Sequence, residues 1–172
     1  MKKNFLITGG SGFLATYWTN FLIKKGHDVS LLLNKRKINQ SGVKIFKINK
    51  HFSFDKLFKK ETFDIIINTA SLTNVELCEK KPNLAKEVHE KFVLKLSKSA
   101  KKYNIYLIHI STDHLFSGIK SFYSEVDKPK PLNNYAKSKL ESEKIIKKNL
   151  KKYLIIRGNF FGWAPSYRKS FS

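Results

Sequence analysis

The chain has 172 residues, 41% of them hydrophobic, which is enough for one domain with a buried core. Its single cysteine, Cys78, excludes an internal disulfide and suits a reducing compartment. The apolar run near the amino terminus is too short for a signal peptide, and no stretch approaches the length of a membrane span. These features predict a soluble, cytoplasmic protein without membrane contact.

The formal net charge of +21, from 34 basic and 13 acidic residues, raises the question of nucleic-acid binding. Nearly all of the basic residues are lysines, however, and they occur in pairs along the whole chain. A dedicated nucleic-acid reader concentrates arginine and aromatic side chains on one face. We interpret most of the charge as solvated surface and expect no specific nucleic-acid partner, although the excess would attract anionic ligands.

A glycine-rich turn lies between a predicted strand at residues 4–7 and an amphipathic stretch. This order is typical of a dinucleotide-binding unit, because glycine lets the backbone approach a pyrophosphate and the helix N-terminus presents free N–H groups. Two related fingerprints fit the spacing, and both end at the small residue Ala15. The alternative is a turn that binds no ligand. The candidate cofactor contacts here are Gly9, Gly10, Ser11, Gly12, Phe13 and Leu14.

The helix that follows is predicted to end at Gly26, and residues 29–33 are predicted to form a buried parallel strand. An apolar stripe at helical spacing predicts that the aromatic residues of the helix lie in the core. These residues are Phe13, Tyr17, Trp18 and Phe21.

The residues after this second strand bear on the choice of cofactor. A site specific for NAD usually has Asp or Glu there, gripping the ribose 2′-hydroxyl, but this chain has Asn34 followed by three basic residues. Arg36 and its lysine neighbours could bind a 2′-phosphate, which a carboxylate would repel. The pattern therefore favours NADP(H) over NAD(H), with Asn34 and Arg36 as candidate contacts. The alternative is a solvated basic loop.

The rest of the chain alternates between strands and helices. Strands are predicted over 43–48, 63–68, 105–110 and 153–157, and helices over 53–60, over 82–103 and from about residue 133. The alternation predicts an α/β fold, a Rossmann-type doubly wound parallel sheet with helices on both faces. Apolar residues at every fourth position predict the buried face of the longest helix: Leu84, Val88, Phe92, Leu96 and Ala100.

Candidate ligand-binding residues follow the ends of two of these strands. Ala70 and Ser71 come after the fourth strand, and Ser111 and Thr112 come after the fifth. In an open α/β sheet, ligands bind at the carboxyl ends of the strands. These four residues are therefore expected at the ligand edge of the sheet.

Tyr135 and Lys139 lie one turn apart on the same face of the later helix. Reduction of a carbonyl by hydride needs a proton donor, and tyrosine can serve where an ammonium stabilises its phenolate. A hydroxyl such as that of Thr112 can then hold the substrate oxygen. A Tyr-x-x-x-Lys pair is expected about once by chance in so lysine-rich a chain. The support for the pair therefore comes from the order of the motifs.

Four segments together resemble the extended short-chain dehydrogenase/reductases: residues 8–15, 68–71, 110–118 and 131–139. Within that superfamily, residues 73–79 and 111–118 are most similar to the dTDP-4-dehydrorhamnose reductase branch. The similarity runs from about residue 3 to residue 163. It implies NADPH-dependent reduction of the 4-keto group of a dTDP-4-keto-6-deoxy sugar, a nucleotide-sugar substrate.

The resemblance also implies residue roles. Thr112 would polarise the 4-keto oxygen, with Ser111 as a neighbouring candidate, and Tyr135 would donate the proton. Lys139 would bind the nicotinamide ribose and lower the pKa of the tyrosine. The glycine turn would hold the pyrophosphate, Ala70 and Ser71 would lie near the nicotinamide, and no metal is expected.

Some residues depart from the family pattern. Ala15 stands where the family usually has glycine, His114 replaces a common tyrosine, and Glu76 replaces a common aspartate. The family continues into a sugar-nucleotide lobe, whereas this chain ends at Ser172. We therefore expect one NADP(H)-binding domain over residues 1–172, truncated relative to the family, with residues 158–172 beginning the substrate side.

Such a domain is expected to associate with a complementing partner chain or with a second copy of itself. Three alternative functions stay open at this point. They are a non-catalytic subunit resembling the regulatory subunit of methionine adenosyltransferase, another nucleotide-sugar epimerase or dehydratase, and a basic nucleic-acid binder.

Overall fold

Six parallel strands form one sheet in the computed structural model, which describes residues 1–160 of the chain. They are β1 (Asn4–Thr8), β2 (Asp28–Leu33), β3 (Lys44–Lys47), β4 (Ile65–Asn68), β5 (Tyr106–Ile110) and β6 (Tyr153–Ile156). Their order across the sheet is β3-β2-β1-β4-β5-β6. Every pair of neighbouring strands is parallel, so the chain crosses the sheet through helices, as the alternation predicts.

The helices are α1 (Phe13–Lys24), α2 (Phe54–Lys60), α3 (Val75–Lys80), α4 (Pro82–Lys86), α5 (Phe92–Lys102) and α6 (Asn134–Asn149). Side chains of Ser53, Asn74 and Asn133 cap the amino termini of α2, α3 and α6 by accepting a backbone N–H. Lysines occupy the last turn of each of these three helices, where they oppose the helix dipole. A short 3₁₀ turn, Asp113–Leu115, follows β5.

Helices cover both faces of the sheet, which confirms the doubly wound Rossmann-type fold. Successive strand residues point to opposite faces, so Ile7 of β1 packs towards α1 while Leu6 packs towards α2, α5 and α6. Each face has its own buried apolar cluster. Within residues 1–160, no helix is long and apolar enough to cross a membrane.

The predicted burial of the α1 aromatics is wrong for two of them. Tyr17 and Phe21 are about half exposed, at 51% and 53%. The helix instead buries Ala15, Thr19 and Leu22, which lie on the face towards the sheet. Positions 17 and 21 lie on another face of the helix, so their apolar character does not place them in the core.

The segment predicted as one helix over residues 82–103 is helical along nearly its whole length, but the face that it buries shifts partway along. A π-helical turn, Glu87–Lys91, separates α4 from α5. The buried face then runs through Ala85, His89 and Val93 before reaching the predicted Leu96 and Ala100. Leu84 is consequently 41% exposed, because the wider turn shifts the buried face by one residue.

The glycine turn packs tightly against the neighbouring strands. Gly9 has φ +69°, and a Cβ there would lie 2.8 Å from the Cα and N of Ala70. A Cβ on Gly10 would lie 2.8 Å from the Cβ of Leu31. Two of the three glycines are therefore required by the fold itself. Residues 161–172, most of the predicted substrate-side segment, lie outside the described residues.

We predict that Gly9→Ala destabilises the fold far more than Gly26→Ala. Both glycines have positive φ, but a Cβ at Gly26 meets no atom within 4 Å. Strain alone should lower the free energy of unfolding of Gly26→Ala by about 1 kcal/mol. Gly9→Ala adds a backbone clash and should lose about 3 kcal/mol or more. Urea denaturation measures both losses, and equal losses would contradict the packing argument.

Candidate active site

The sheet order brings the candidate residues to one edge. Strands β1, β4 and β5 are neighbours, so the glycine turn, the Ala70–Ser71 segment and the Ser111–Thr112 segment follow adjacent carboxyl ends. Helix α6 lies beside β5 and contributes Tyr135 and Lys139. This edge is where open α/β sheets bind ligands.

Tyr135 has its phenol among hydroxyl groups. Side-chain hydrogen bonds from Thr112 and Ser71 lower the pKa of the phenol, but burial raises it by more, so the pKa lies above its ordinary value. The ring stands edge-on to two histidines, with centroids 5.6 Å from His89 and 6.0 Å from His114. The phenol is therefore protonated near neutral pH and can donate a proton.

Lys139 is 2% exposed, and its amine lies below the surface of the site. The Nζ atom donates to the carbonyl oxygen of Ile110 at 2.6 Å and lies 3.5 Å from Nε2 of His109. Burial lowers the pKa of the amine to about 8, against the opposing effect of the Glu143 carboxylate. The amine is thus mostly charged at neutral pH. Its predicted effect on the pKa of Tyr135 stays a prediction.

A row of buried polar side chains leads across the sheet to this amine. Thr8, Asn68 and His109 are register partners on β1, β4 and β5, and none is more than 1% exposed. Thr8 Oγ1 donates to Asn68 Oδ1 at 2.5 Å, and the Asn68 amide lies 2.8 Å from His109 Nδ1. Burial and the charge of Lys139 hold the pKa of His109 well below its ordinary value.

The two hydroxyls after β5 have different partners. Ser111 Oγ donates to Glu143 at 2.6 Å, and Glu143 also accepts from Arg157 at 2.7 Å. These bonds tie the ends of β5 and β6 to α6. Thr112 Oγ1, in contrast, donates to Asp113 at 3.3 Å and accepts the His114 N–H at 3.2 Å, and its hydroxyl lowers the pKa of the Tyr135 phenol. The geometry therefore favours Thr112 over Ser111 as the group that would hold a substrate oxygen.

His89 links the loop after β4 to α6. The Leu72 N–H donates to Nε2 of His89 at 3.0 Å, so this nitrogen carries a lone pair. The ring proton is then on Nδ1, which lies 2.7 Å from the Ser138 hydroxyl. Burial, assisted by the charge of Lys139, lowers the pKa of His89 to about 3. The imidazole is neutral near pH 7.

Sequence patterns missed Asn68, His89, His109 and Glu143 as members of the site. A detectable signal exists for the row on the sheet. Thr8 and Asn68 end apolar strands, and His109 lies at the same register one residue before the end of β5, at positions where a further apolar residue would continue the core. No local pattern marks His89 or Glu143, because their partners are distant in sequence.

The glycine turn is shaped to receive an anionic group. Helix α1 begins at Phe13 after Gly12, with no capping side chain and no acidic residue in its first turn. Its first N–H groups therefore favour a phosphate. Asn34 and Arg36 lie in the exposed loop after β2, and Ala70 is partly buried beside the turn. The fold thus brings the predicted cofactor contacts to the same edge of the sheet.

An open cavity of about 570 Å³ adjoins the site. His114 lines it, and the His114 ring stands edge-on to Tyr135, so one side chain lies between the cavity and that phenol ring. Phe116 and Tyr123 stack in its wall with centroids 4.4 Å apart, and the Arg157 guanidinium lies 5.5 Å from the Phe116 ring centroid. The cavity offers aromatic and cationic surface on the side of Tyr135.

We predict that the wild type loses stability on acidification more steeply than His89→Gln. His89 has an ordinary pKa of 6.5 when unfolded and about 3 when folded, so only the unfolded chain takes up its proton between these values. The contribution is present above pH 6.5 and is lost as the pH falls towards 3. As the pH falls, the free energy of unfolding of the wild type should therefore decrease by up to about 1.4 kcal/mol per pH unit more than that of His89→Gln. Urea unfolding across this range measures it, and parallel slopes would contradict the assignment.

Two curated relatives match most of the chain. A dTDP-4-dehydrorhamnose reductase of Aggregatibacter actinomycetemcomitans is 33% identical over 153 residues, covering 88% of this chain and 49% of the relative. The methionine adenosyltransferase 2 subunit beta of Bos taurus is 29% identical over 151 residues, covering 86% of this chain and 44% of that protein. The chain therefore spans about half the length of these relatives.

Solved structures agree with the fold. A hypothetical dTDP-4-dehydrorhamnose reductase from Sulfolobus tokodaii superposes with a TM-score of 0.81 at 32% identity, covering 94% of this chain and 58% of that one. A dTDP-4-dehydrorhamnose reductase from Bacillus anthracis, in complex with NADP, gives 0.72 at 25% identity, covering 91% and 53%. A family model described as RmlD substrate binding domain matches residues 2–167. The chain therefore belongs to the RmlD substrate binding domain family.

Proposed function

We propose that this chain carries the cofactor and proton-donor side of an NADPH-dependent reductase. The reaction is reduction of the 4-keto group of a dTDP-4-keto-6-deoxy sugar, a step of dTDP-rhamnose biosynthesis. The observation that carries this proposal is the buried phenol of Tyr135, whose pKa is raised by burial, beside the Thr112 hydroxyl at the ligand edge of the sheet. Similarity to dTDP-4-dehydrorhamnose reductases supports the choice of reaction.

The residues at the edge fit a dinucleotide with a 2′-phosphate. The uncapped start of α1 and the glycine turn would hold the pyrophosphate. Arg36 and Asn34 would contact the 2′-phosphate, in a loop that offers no carboxylate to repel it. When bound, reduced NADP supplies the hydride. The NADP complex of the relative from Bacillus anthracis supports this choice of cofactor.

The side chains of the site would handle the substrate oxygen and its proton. The Thr112 hydroxyl holds the keto oxygen, and the Tyr135 phenol gives that oxygen its proton as negative charge develops there. Hydrogen bonds from Ser71 and Thr112 then stabilise the phenolate. The ammonium of Lys139 adds positive charge below the site, because the amine is mostly protonated at neutral pH.

The cavity lined by Phe116, Tyr123 and Arg157 would receive part of the nucleotide sugar. The exposed side chains of Ile119, Phe122 and Val126, each at least 81% exposed, lie in the loop beside it. This apolar surface supports association with a complementing chain or a second copy. The cytoplasmic location expected from the sequence likewise stays a prediction.

A second candidate function is a nucleotide-binding subunit without catalysis. The similarity to a methionine adenosyltransferase subunit over 151 residues favours it. Such a subunit would bind the cofactor, show no turnover of a dTDP-4-keto sugar, and form a stable complex with a partner protein. Turnover by the chain would exclude this candidate.

We predict that the chain binds NADPH more tightly than NADH and that Arg36→Ala removes this preference. Loss of one charge-assisted contact should weaken NADPH binding about tenfold, with NADH binding unchanged. Nicotinamide fluorescence titrations measure both affinities. Lys148→Ala, at the carboxyl end of α6, is the matched charge control. If both substitutions weakened NADPH binding equally, the effect would come from the overall charge of the chain, and the basic loop would have no specific role.

We predict that Tyr135→Phe lowers the turnover of dTDP-4-keto sugar by about 10²–10⁴-fold, because the proton donor is lost. NADPH affinity should stay close to that of the wild type. Tyr106→Phe, whose phenol bonds to the Tyr153 carbonyl away from the site, is the control. Steady-state oxidation of NADPH measures turnover. Undiminished activity in Tyr135→Phe would refute the mechanism.

A further inference from the structure

Helix α3 has no part in the proposed chemistry, yet it connects two segments that do. It follows the loop that contains Ala70 and Ser71, the proposed cofactor contacts after β4. The thiol of Cys78, a fully buried residue of this helix, donates to the Leu72 carbonyl at 3.5 Å. The helix is thereby fastened to the loop that precedes it.

The end of α3 contacts the start of α6. Glu79 presents its carboxylate to Asn134, the first residue of α6. One carboxylate oxygen accepts the Asn134 backbone N–H, and the other accepts from the Asn134 side-chain amide at 2.8 Å. The two residues are 55 positions apart in the sequence. This pair of hydrogen bonds, which we call the Glu79 clamp, ties α3 to the first turn of α6.

The Glu79 clamp supplies an acceptor that α6 itself lacks. The first N–H groups of a helix have no acceptor within the helix. The capping side chain of Asn133 accepts the Ala136 N–H at 2.8 Å, whereas the Asn134 N–H is directed to Glu79. A carboxylate at this end of a helix also opposes the positive end of the helix dipole. Hydrogen bonding and charge therefore both favour the contact.

Tyr135 follows directly after the clamped residue. Its ring lies edge-on between His89 and His114, so its place depends on the position of the first turn of α6. Hydride transfer to a carbonyl carbon and proton transfer to its oxygen need both donors in place together. Displacement of a catalytic group by about 1 Å can cost about a hundredfold in rate. The spacing between the loop after β4 and the start of α6 therefore matters for the proposed reaction.

We propose that Glu79 is a positioning residue for the proton donor. Through its two hydrogen bonds to Asn134, it holds Tyr135 at a fixed distance from the loop after β4. The inference rests on the proposed function for the role of Tyr135. Glu79 itself is exposed, so it can be replaced without opening the core.

Two variants separate hydrogen bonding from charge. Glu79→Ala removes both acceptors. Glu79→Gln removes the charge but keeps an oxygen for the Asn134 N–H, and its amide can donate to the side-chain oxygen of Asn134 once that side chain turns over. Glu141→Ala, which removes an exposed carboxylate of α6 bonded to Lys144, is the matched control. Circular dichroism verifies that each variant folds.

Two signals report on the start of α6 in the chain without substrate. Amide hydrogen exchange follows the Asn134 N–H, and the ¹⁹F resonance of 3-fluorotyrosine at position 135, assigned with Tyr135→Phe, reports the surroundings of the ring. Glu79→Ala should speed exchange at Asn134 about tenfold. It should also shift the ¹⁹F resonance towards its value in the unfolded chain. Glu79→Gln and Glu141→Ala should stay close to the wild type in both signals.

Turnover gives a third signal, which a general loss of stability would not imitate. In steady-state oxidation of NADPH by a dTDP-4-keto sugar, Glu79→Ala should lower kcat about tenfold while the Kd of NADPH is unchanged. Glu79→Gln should recover most of this loss, because it restores the hydrogen bonds to Asn134.

Three results would overturn the proposal. Unchanged exchange at Asn134 in Glu79→Ala would show that the clamp does not form. An unchanged ¹⁹F resonance or kcat in that variant, beside faster exchange, would reduce Glu79 to a helix cap. Equal effects of Glu79→Ala and Glu79→Gln would assign the contact to charge alone. The proposed function fails separately, through undiminished turnover in Tyr135→Phe, because the exchange and ¹⁹F measurements need no turnover.

Discussion

The buried amine of Lys139 is the group on which the described structure most depends. A cation removed from water is costly unless polar groups surround it. The Ile110 carbonyl and the buried carboxylate of Glu143 supply part of that environment. His109 supplies more, and it is held by a row of polar side chains that exists only because β1, β4 and β5 are adjacent in the sheet. The strand order therefore supports the site through hydrogen bonds as well as through position.

The charges around this amine are mutually consistent. His89 and His109 are both buried and neutral, and the charge of Lys139 helps to lower the pKa of each. Protonated histidines here would repel the ammonium from two sides. The carboxylate of Glu143 forms a 2.7 Å salt bridge with the guanidinium of Arg157, which balances the charge of the carboxylate. Lys139 and the partly buried Arg157 together outnumber the single carboxylate of Glu143, which suits a site for an anionic ligand.

Most of the fold could be predicted from the sequence, since apolar runs and capping residues are local signals. The six strands agree with the prediction, and Gly26 follows the end of α1 as predicted. Ser53 and Asn133 cap helices near their predicted starts. Helix α3 was missed. The π turn was missed because spacing by fours is compatible with one continuous helix. The candidate residues at the strand ends could be found from their position in the predicted sheet. The side chain of His89, in contrast, hydrogen-bonds to partners 17 to 49 residues away, and the carboxylate of Glu143 accepts from partners 14 and 32 residues away. No local sequence pattern encodes such contacts.

Helix α6 shows why amphipathic patterns understate such a site. Its buried residues include Ser138, Lys139, Ser142 and Glu143, all polar, and Tyr135 continues this strip at helical spacing. A pattern search would assign these side chains to solvent. They face inward because each meets a polar partner on another element: the turn carrying His89 for the serines, and the end of β5 for Lys139 and Glu143. The face of α6 that would ordinarily pack against an apolar core instead carries Tyr135, the proposed proton donor. A substitution on this face therefore changes the packing of the helix and the proposed chemistry together.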